Sequence, residues 1–461
     1  MKFPFDMMFF VSTVATVACI ANVASADVFR LPINRTTIGW DFRFVGPNRK
    51  AEAHQLPFGA QDQRKRRVLR SRNREQANVG HHQEQLERVH IPVGPVRSTG
   101  HHSDDEVIFW SLFTTPISIG KPPLNLTALI DTSWSSFFIP SANCTLNPKE
   151  RSSCLVHAPL YNSTKSSTYR ADLRPGKLLY HSYNGVYTWG IISQDDLHVA
   201  NMEIRNQVFE EALEWHPMWF TRDDYFDTAL GLSLHQTPES WGNFSAQSPF
   251  QNMVQQNLLD ENIFTLKLPR NDNETGELVL GGVPEILTRD KMIQIPLNHT
   301  RDGGGDEWWD FYTSSGWQVS TQRISMDSPN GSIPVLTAEH TAIVSSSYPY
   351  IALPDDAATI ANHAIGLEEL YDWVECETRP QLPNMTLGLG AGAPSITLSP
   401  WDYLIEVYDD LFQQLKCVSA FQSMEWRGEM GFIMLGAPFL SGVWSVWDKD
   451  GESISFANRA L

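Results

Sequence analysis

The sequence predicts a mostly β protein built from two similar lobes, and two observations carry that prediction. From about Val107 onward, short β-branched and aromatic runs are punctuated by Gly, Pro, Asn and Ser, the pattern of many short strands joined by turns. Within this region residues 127–140, Thr-Ala-Leu-Ile-Asp-Thr-Ser-Trp-Ser-Ser-Phe-Phe-Ile-Pro, match residues 341–354, Thr-Ala-Ile-Val-Ser-Ser-Ser-Tyr-Pro-Tyr-Ile-Ala-Leu-Pro, without a gap at an offset of 214 residues. Each copy reads as a buried strand ending in a polar loop. Two lobes packed about a pseudo-twofold axis bring such loops together in the cleft between them, so the loop tips are where chemistry is to be sought. The composition, 42% hydrophobic in 461 residues, supplies enough apolar material for two cores and excludes collagen, coiled coil and wholesale disorder.

Taken in order, residues 1–26 read as a secretory signal: Lys2, an apolar run from Met7 to Ala21, then Ala24-Ser25-Ala26 before the cleavage point. The run is shorter than the roughly 20 residues that span a bilayer. Residues 27–67, or a longer piece reaching 100, read as a propeptide. This polar segment contains Arg64-Lys65-Arg66-Arg67, an exposed site for a dibasic processing protease. Residues 27–100 carry 14 Lys+Arg against 7 Asp+Glu, whereas residues 101–461 carry 20 against 45. The acidic body excludes nucleic acid as a partner, because phosphate backbones need neutralising cations.

Residues 107–283 then form the first β lobe and 284–461 the second. Two short helices decorate them, one over Ser248 to Asp260 behind a Ser cap and an early Pro, one over Asp355 to Ile365. The uncharged stretch Gly431 to Trp447 is broken by Gly436, Pro438 and Gly442 and reads as buried strands, and the C-terminus lacks the apolar tail of a lipid anchor. Once the signal and its Cys19 are removed, Cys144, Cys154, Cys376 and Cys417 remain, an even number suited to an oxidising compartment. Three pairings are open; the close spacing of Cys144 and Cys154 favours a local loop, leaving Cys376 with Cys417. Sequons at Asn34, Asn125, Asn143, Asn162, Asn243, Asn273, Asn298, Asn330 and Asn384 fit a secreted, extracellular glycoprotein.

In the first tip Asp131 follows Leu129-Ile130 and precedes Thr132 and Ser133, a set that a buried strand end holds in a hydrogen-bond network. Two carboxylates facing each other across a twofold axis share a proton and hold a water, one acting as base while the other protonates a peptide carbonyl. Such chemistry needs no metal or cofactor. The counterpart of Asp131 in the second tip is Ser345.

These features resemble the pepsin-like aspartic peptidase family over about residues 107–461. Ile117-Ser118-Ile119-Gly120-Lys121-Pro122-Pro123 resembles the family's Ile-x-Ile-Gly-x-Pro-Pro; Asp131-Thr132 resembles the start of its Asp-Thr-Gly-Ser, and Phe138-Ile139-Pro140 its Trp-Val-Pro. Tyr161 with Ser166-Ser167-Thr168-Tyr169, Asp227-Thr228-Ala229-Leu230-Gly231-Leu232 and Gly276 to Gly282 resemble further family runs in the first lobe. Trp317-Gln318-Val319, Ala342-Ile343-Val344 and Leu435 to Leu440 do so in the second. The resemblance implies a bilobal acid-protease fold with a central cleft, a monomer, and a flap hairpin carrying Tyr183 in Tyr183-Asn184-Gly185. It also implies that Cys144 with Cys154 and Cys376 with Cys417 are two of the family's disulfides.

The departures sit at the centre. The second Asp-Thr-Gly is Ser345-Ser346-Ser347, the first continues as Ser133-Trp134, Tyr348 stands where a small hydroxyl residue is usual, and Gly436 is followed by Ala437 where the family has Asp. Thr132 and Ser346 retain the hydroxyls that hold the two tips together, with Trp134 and Tyr348 as cleft-lining or core aromatics. A lone Asp131 opposite Ser345 can act as a base but has no partner acid, and losing one member of a cooperating catalytic set can cost on the order of 10⁴-fold in rate. The sequence therefore leaves two functions open. One is an impaired homologue that binds peptide or protein in or near the cleft; the other is an aspartic endopeptidase working at acidic pH.

Overall fold

Alternating apolar and polar residues make most of this chain into strands that bury one face. The computed structural model describes residues 28–459 apart from 46–49, 55–104, 136, 145–158, 181–185, 218–225, 236–245, 301–311, 369–372, 410–413 and 425–430. The first half supplies β1 (Phe29–Val45), β2 (Lys50–His54), β3 (Asp105–Ile119), β4 (Leu124–Asp131), β5 (Phe138–Pro140), β6 (Arg170–Tyr180), β7 (Val186–Val199), β8 (Met202–Pro217), β9 (Thr228–Gly231), β10 (Ile263–Lys267) and β11 (Gly276–Leu280). The second half supplies β12 (Ile293–Pro296), β13 (Gln318–Ser328), β14 (Gly331–Leu336), β15 (His340–Val344), β16 (Ile351–Leu353), β17 (Trp373–Glu375), β18 (Asn384–Leu389), β19 (Ser395–Leu398), β20 (Leu404–Asp409), β21 (Gln414–Ser419), β22 (Phe421–Ser423), β23 (Phe432–Leu435), β24 (Val443–Asp448) and β25 (Ser453–Asn458). Among the described residues four short α-helices interrupt them: α1 (Pro249–Gln255), α2 (Asp355–Ala364), α3 (Pro400–Tyr403) and α4 (Ala437–Gly442).

One sheet joins the halves. Its strands run in the order β12-β25-β24-β10-β11-β1, three from each half, and β1 continues into β3, β7, β8 and β5 of the first lobe. The second lobe has its own sheet, β19-β18-β13-β15-β23-β16-β22, and a small sheet β17-β21-β20. Aromatic packing clamps the joint. Phe264 of β10 stacks on Trp447 of β24 with ring centroids 5.3 Å apart, and Trp317 meets both edge-on. Trp317 is fully buried and donates its indole N–H to the Leu232 carbonyl at 2.9 Å, which ties the second lobe to the loop behind the first tip.

The mostly β, two-lobed fold agrees with the reading of the sequence. So does α1, where Ser248 accepts from the Gln251 N–H and Gln251 answers to the Ser248 N–H, a capping box with Pro249 in the first turn. The helix ends at Gln255, earlier than the apolar periodicity suggests. α2 covers the second expected helix. The stretch Gly431 to Trp447 is only partly strand: between β23 and β24 Pro438 starts the helix α4, because its fixed φ favours a first helical turn and its missing N–H disfavours a ladder. The polar segment expected to be a propeptide contains β1 and β2. Its partners supply the pairing that local composition does not advertise.

Cys376 and Cys417 form a disulfide, fastening the end of β17 to β21. Cys144 is disulfide-bonded as well; Cys154 lies outside the described residues, as do the signal, Arg64 to Arg67, Asn243 and Tyr183. Among the described residues no helix is long and apolar enough to cross a membrane.

Replacing Trp317 with Ala removes a buried indole from the joint and is expected to cost about 3–5 kcal/mol, read as a shift in urea unfolding. A loss below about 1 kcal/mol would show that the aromatic clamp does not hold the lobes.

Candidate active site

Each repeat ends the same way. β4 runs parallel to β9, pairing Asp131 with Gly231, and β15 runs parallel to β23, pairing Val344 with Leu435. Each tip turns back over a Leu-Gly pair. A Cβ at Gly231 would stand 2.5 Å from the Trp134 carbonyl, and one at Gly436 would stand 2.3 Å from the Tyr348 and Tyr350 carbonyls. Only glycine lets the tips lie this close to the strand behind them.

Residues 132 and 346, repeat mates at the offset of 214, exchange hydrogen bonds across the axis. Thr132 N–H donates to Ser346 Oγ at 3.1 Å, and Ser346 N–H donates to Thr132 Oγ1 at 3.1 Å. Each hydroxyl then donates onward, Ser346 to the Ile130 carbonyl at 2.9 Å and Thr132 to the Val344 carbonyl at 3.5 Å. Four buried backbone groups are thus satisfied by two hydroxyls, which lock the tips face to face.

Immediately beside this lock, a second pair of contacts crosses the axis. Ser347 donates to Asp131 Oδ1 at 2.9 Å, and its repeat mate Ser133 donates to Ser345 Oγ at 2.9 Å. The Ser133 N–H also donates to Asp131 Oδ1 at 2.7 Å, and the Ser345 and Ser347 hydroxyls lie 3.3 Å apart. Asp131, Ser133 and Ser345 are fully buried and Ser347 is 5% exposed. The third residue of each tip therefore reaches the first residue of the other tip, through a hydroxyl that glycine does not have. The serine at both mates is visible in the sequence, but their crossing depends on tertiary placement.

Asp131, Ser345, Thr132 and Ser346 come together at one point. Trp134 and Tyr348, mates at the fourth position, are both buried. Tyr348 donates to Gln422 Oε1 at 2.8 Å and meets Tyr312 edge-on, so it packs as a core aromatic. Tyr183 is not among the described residues, although β6 and β7 pair as an antiparallel hairpin up to Tyr180 and Val186 on either side of it. His340, on the strand entering the second tip, makes its ring contact with the Ala338 carbonyl. Among the described residues no cluster of His, Cys, Asp or Glu could hold a metal ion.

Two further carboxyls support the first tip. Asp227 Oδ2 accepts from the Thr127 N–H at 2.7 Å, pinning the start of β9 to β4, and burial pushes its carboxyl above the ordinary range against that bond. Glu211, paired with Ile139 across β8 and β5, accepts from Ser141 at 2.7 Å and Ser193 at 3.3 Å. Burial raises it too, and the two hydroxyl bonds only partly offset this.

The chain is similar in sequence to known proteins. The family model described as eukaryotic aspartyl protease matches residues 112–459. Vacuolar protease A of Aspergillus fumigatus is 27% identical over 352 residues, 75% of this chain and 78% of that protein. Cathepsin D of Gallus gallus is 28% identical over 348 residues, covering 74% and 79%, and a vacuolar aspartic protease of Candida albicans is 27% identical over 352 residues, covering 75% and 74%.

The lock predicts that Ser346→Ala, which strips a partner from the Thr132 N–H and the Ile130 carbonyl, costs about 1–3 kcal/mol for each buried group left unpaired. Equal unfolding midpoints for the parent and the variant would contradict it. The supporting carboxyls predict a pH effect. Their folded values lie above the unfolded value near 4, so the native state binds the extra proton and stability rises as pH falls from neutrality, levelling off below the unfolded value. The parent should gain stability relative to Glu211→Gln between pH 7 and 4.5 in matched urea titrations; a constant difference would refute the assignment.

Proposed function

Because the chain belongs to the eukaryotic aspartyl protease family, we propose that it is a catalytically impaired member that binds peptide or protein in or near the inter-lobe cleft. The observation that carries this reading is Ser345 opposite Asp131, with Ser133 and Ser347 donating across the axis. Peptide hydrolysis by a carboxyl pair needs one acid, one base and a water held between them. Here the second acid is a serine, which does not titrate in the working range, and a serine hydroxyl already occupies the bonding direction of Asp131 Oδ1 that faces the second tip. Ser345 does not become a nucleophile by default, since its hydroxyl neighbours are other serines rather than a general base of the histidine kind.

The fold around this point supports a retained cleft, because the lock between Thr132 and Ser346 still fixes the lobes. The apolar leader, the even number of cysteines left after it and the sequons favour a place in the secretory pathway. Relatives bearing the name vacuolar protease make an acidic vacuole a destination to test beside the cell exterior. The competing reading, an acid endopeptidase, is favoured by the retention of Asp131 and by the protease names of the relatives.

The test is digestion of a denatured protein by the purified, processed chain across pH 3–7, with Asp131→Ala alongside. No cleavage is expected. Cleavage lost in Asp131→Ala would overturn impairment. Ser345→Asp alone is expected to stay silent because Ser133 and Ser347 still fill the axis, whereas Ser133→Gly, Ser345→Asp and Ser347→Gly together are expected to gain measurable turnover.

A further inference from the structure

We propose that a cavity at the end of β7 and β8 remote from the tips binds a neutral oligosaccharide. β7 and β8 pair from Val186 with Pro217 at one end to Val199 with Met202 at the other, and the cavity lies at the second end, away from the β6–β7 hairpin. It is therefore separate from the inter-lobe cleft and does not depend on the state of Asp131.

The start of β8, the end of α1 and the start of β1 enclose about 890 Å³, inside the range of about 300–1,000 Å³ usual for small-molecule sites. Among the described residues ten line it, and five of those are carboxamides: Asn201, Asn206, Asn252, Gln255 and Gln256. The lining carries one charge of each sign. Arg205 Nε donates to Glu203 Oε1 at 2.9 Å, so the two cancel. Phe29, Met202 and Leu258 add an apolar patch, with Met202 buried and the other two half-buried.

The rim is built stiffly. Arg205 and Asn206 bulge out between the pairs Leu197 with Ile204 and Asp195 with Gln207, and a bulge re-aims the side chains it carries. Asn206 has φ 54° and donates its N–H to Asp196 Oδ1 at 3.1 Å. Ala200 and Asn257, both at φ 53°, adjoin Asn201 and Gln256. Three of the five non-glycine residues with left-handed backbone among the described residues thus surround this one cavity. Such a conformation costs free energy for a residue with a Cβ and persists only where its surroundings impose it. Asn252 is fixed by donating to Gln207 Oε1 at 2.8 Å, and Gln207 donates in turn to the Gln247 carbonyl at 3.1 Å. Among the described residues the exposed side chains of Asn201 and Gln255 have no hydrogen-bond partner, which leaves their donors and acceptors to solvent or a ligand.

This chemistry selects among ligands. A carboxamide carries donors and an acceptor side by side, which suits the neighbouring hydroxyls of a pyranose, each of them donor and acceptor, while the C–H face of the ring covers apolar side chains. A charged ligand gains little from a lining whose charges cancel. A peptide added as a strand needs unpaired backbone groups along a sheet edge. Here the Arg205 N–H donates to Gln256 Oε1 at 3.0 Å and Gln256 Nε2 donates to the Arg205 carbonyl at 2.9 Å, so a side chain already closes that edge.

The test is saturation-transfer NMR on the purified protein after endoglycosidase treatment, so that no glycan of its own competes. The probes are mannotriose, cellotriose and triacetylchitotriose, with trigalacturonate as the charged control and N-acetyl-trialanine amide as the peptide control. Transfer to the ring protons of at least one neutral trisaccharide is expected, with binding at least about tenfold weaker in the double variant Asn201→Ala, Gln255→Ala. A glycopeptide bearing one N-linked glycan is then added as competitor. Displacement of the trisaccharide assigns the site to protein-borne glycans and persistence assigns it to free saccharides, and either result is the proposed chemistry. No transfer to any neutral trisaccharide, equal affinity in the double variant, or preferential transfer to trigalacturonate or to the peptide would overturn the proposal.

Discussion

The exchange between Thr132 and Ser346 is the interaction on which the remaining architecture depends. Each tip leaves its strand with backbone groups that no ladder can satisfy, and each is satisfied only by the side chain of its repeat mate. This makes the two lobes interdependent. A tip on its own would bury an unpaired N–H and an unpaired carbonyl, so the pair is stable where either half is not. The parallel pairs β4 with β9 and β15 with β23 stand behind the tips, and Gly231 and Gly436 allow the approach. The sheet shared by both halves and the Phe264, Trp317 and Trp447 cluster hold the same axis from below.

The same symmetry separates the contacts that hold the fold from the positions where the chemistry is sought. The lock uses position two of each tip, whereas the carboxyl-pair chemistry expected from the sequence would act at position one. Here position two is kept, with Thr132 and Ser346, while position one differs between the lobes and position three is filled by Ser133 and Ser347. Those serines return hydrogen bonds across the axis, so the substitution is structurally self-sufficient. The buried carboxyls Glu211 and Asp227 nevertheless favour acidic surroundings, a property of the scaffold that does not require turnover.

Much of this was legible in the sequence. The repeat of 127–140 in 341–354 revealed two lobes, the tips and the mates at position one, because a twofold fold writes itself twice. The caps of α1 were legible because Ser248, Pro249 and Gln251 act locally. Three features were not. β1 was hidden because its signal is a short alternation around Leu31 and Ile33 inside a polar stretch, and its stability comes from strands some 80 and 250 residues away in the chain. The helix α4 was hidden because a buried apolar run has no helical face to display. The crossing of Ser133 and Ser347 was hidden because a serine's partner depends on tertiary placement alone.

Whether the axis between Asp131 and Ser345 can still grip a tetrahedral hydroxyl separates an impaired member from a working peptidase. The most direct measurement is calorimetric binding, at pH 4.5, of a peptide bearing a hydroxyl at the position of the scissile carbonyl, set against the same peptide with a methylene there. Functional acid–base pairs bind such transition-state mimics at least about 10²-fold more tightly than ground-state analogues. With Ser133 and Ser347 filling the axis, the two peptides should bind with equal affinity, whether strong or weak. A preference of that size for the hydroxyl peptide, abolished in Asp131→Ala, would contradict the account.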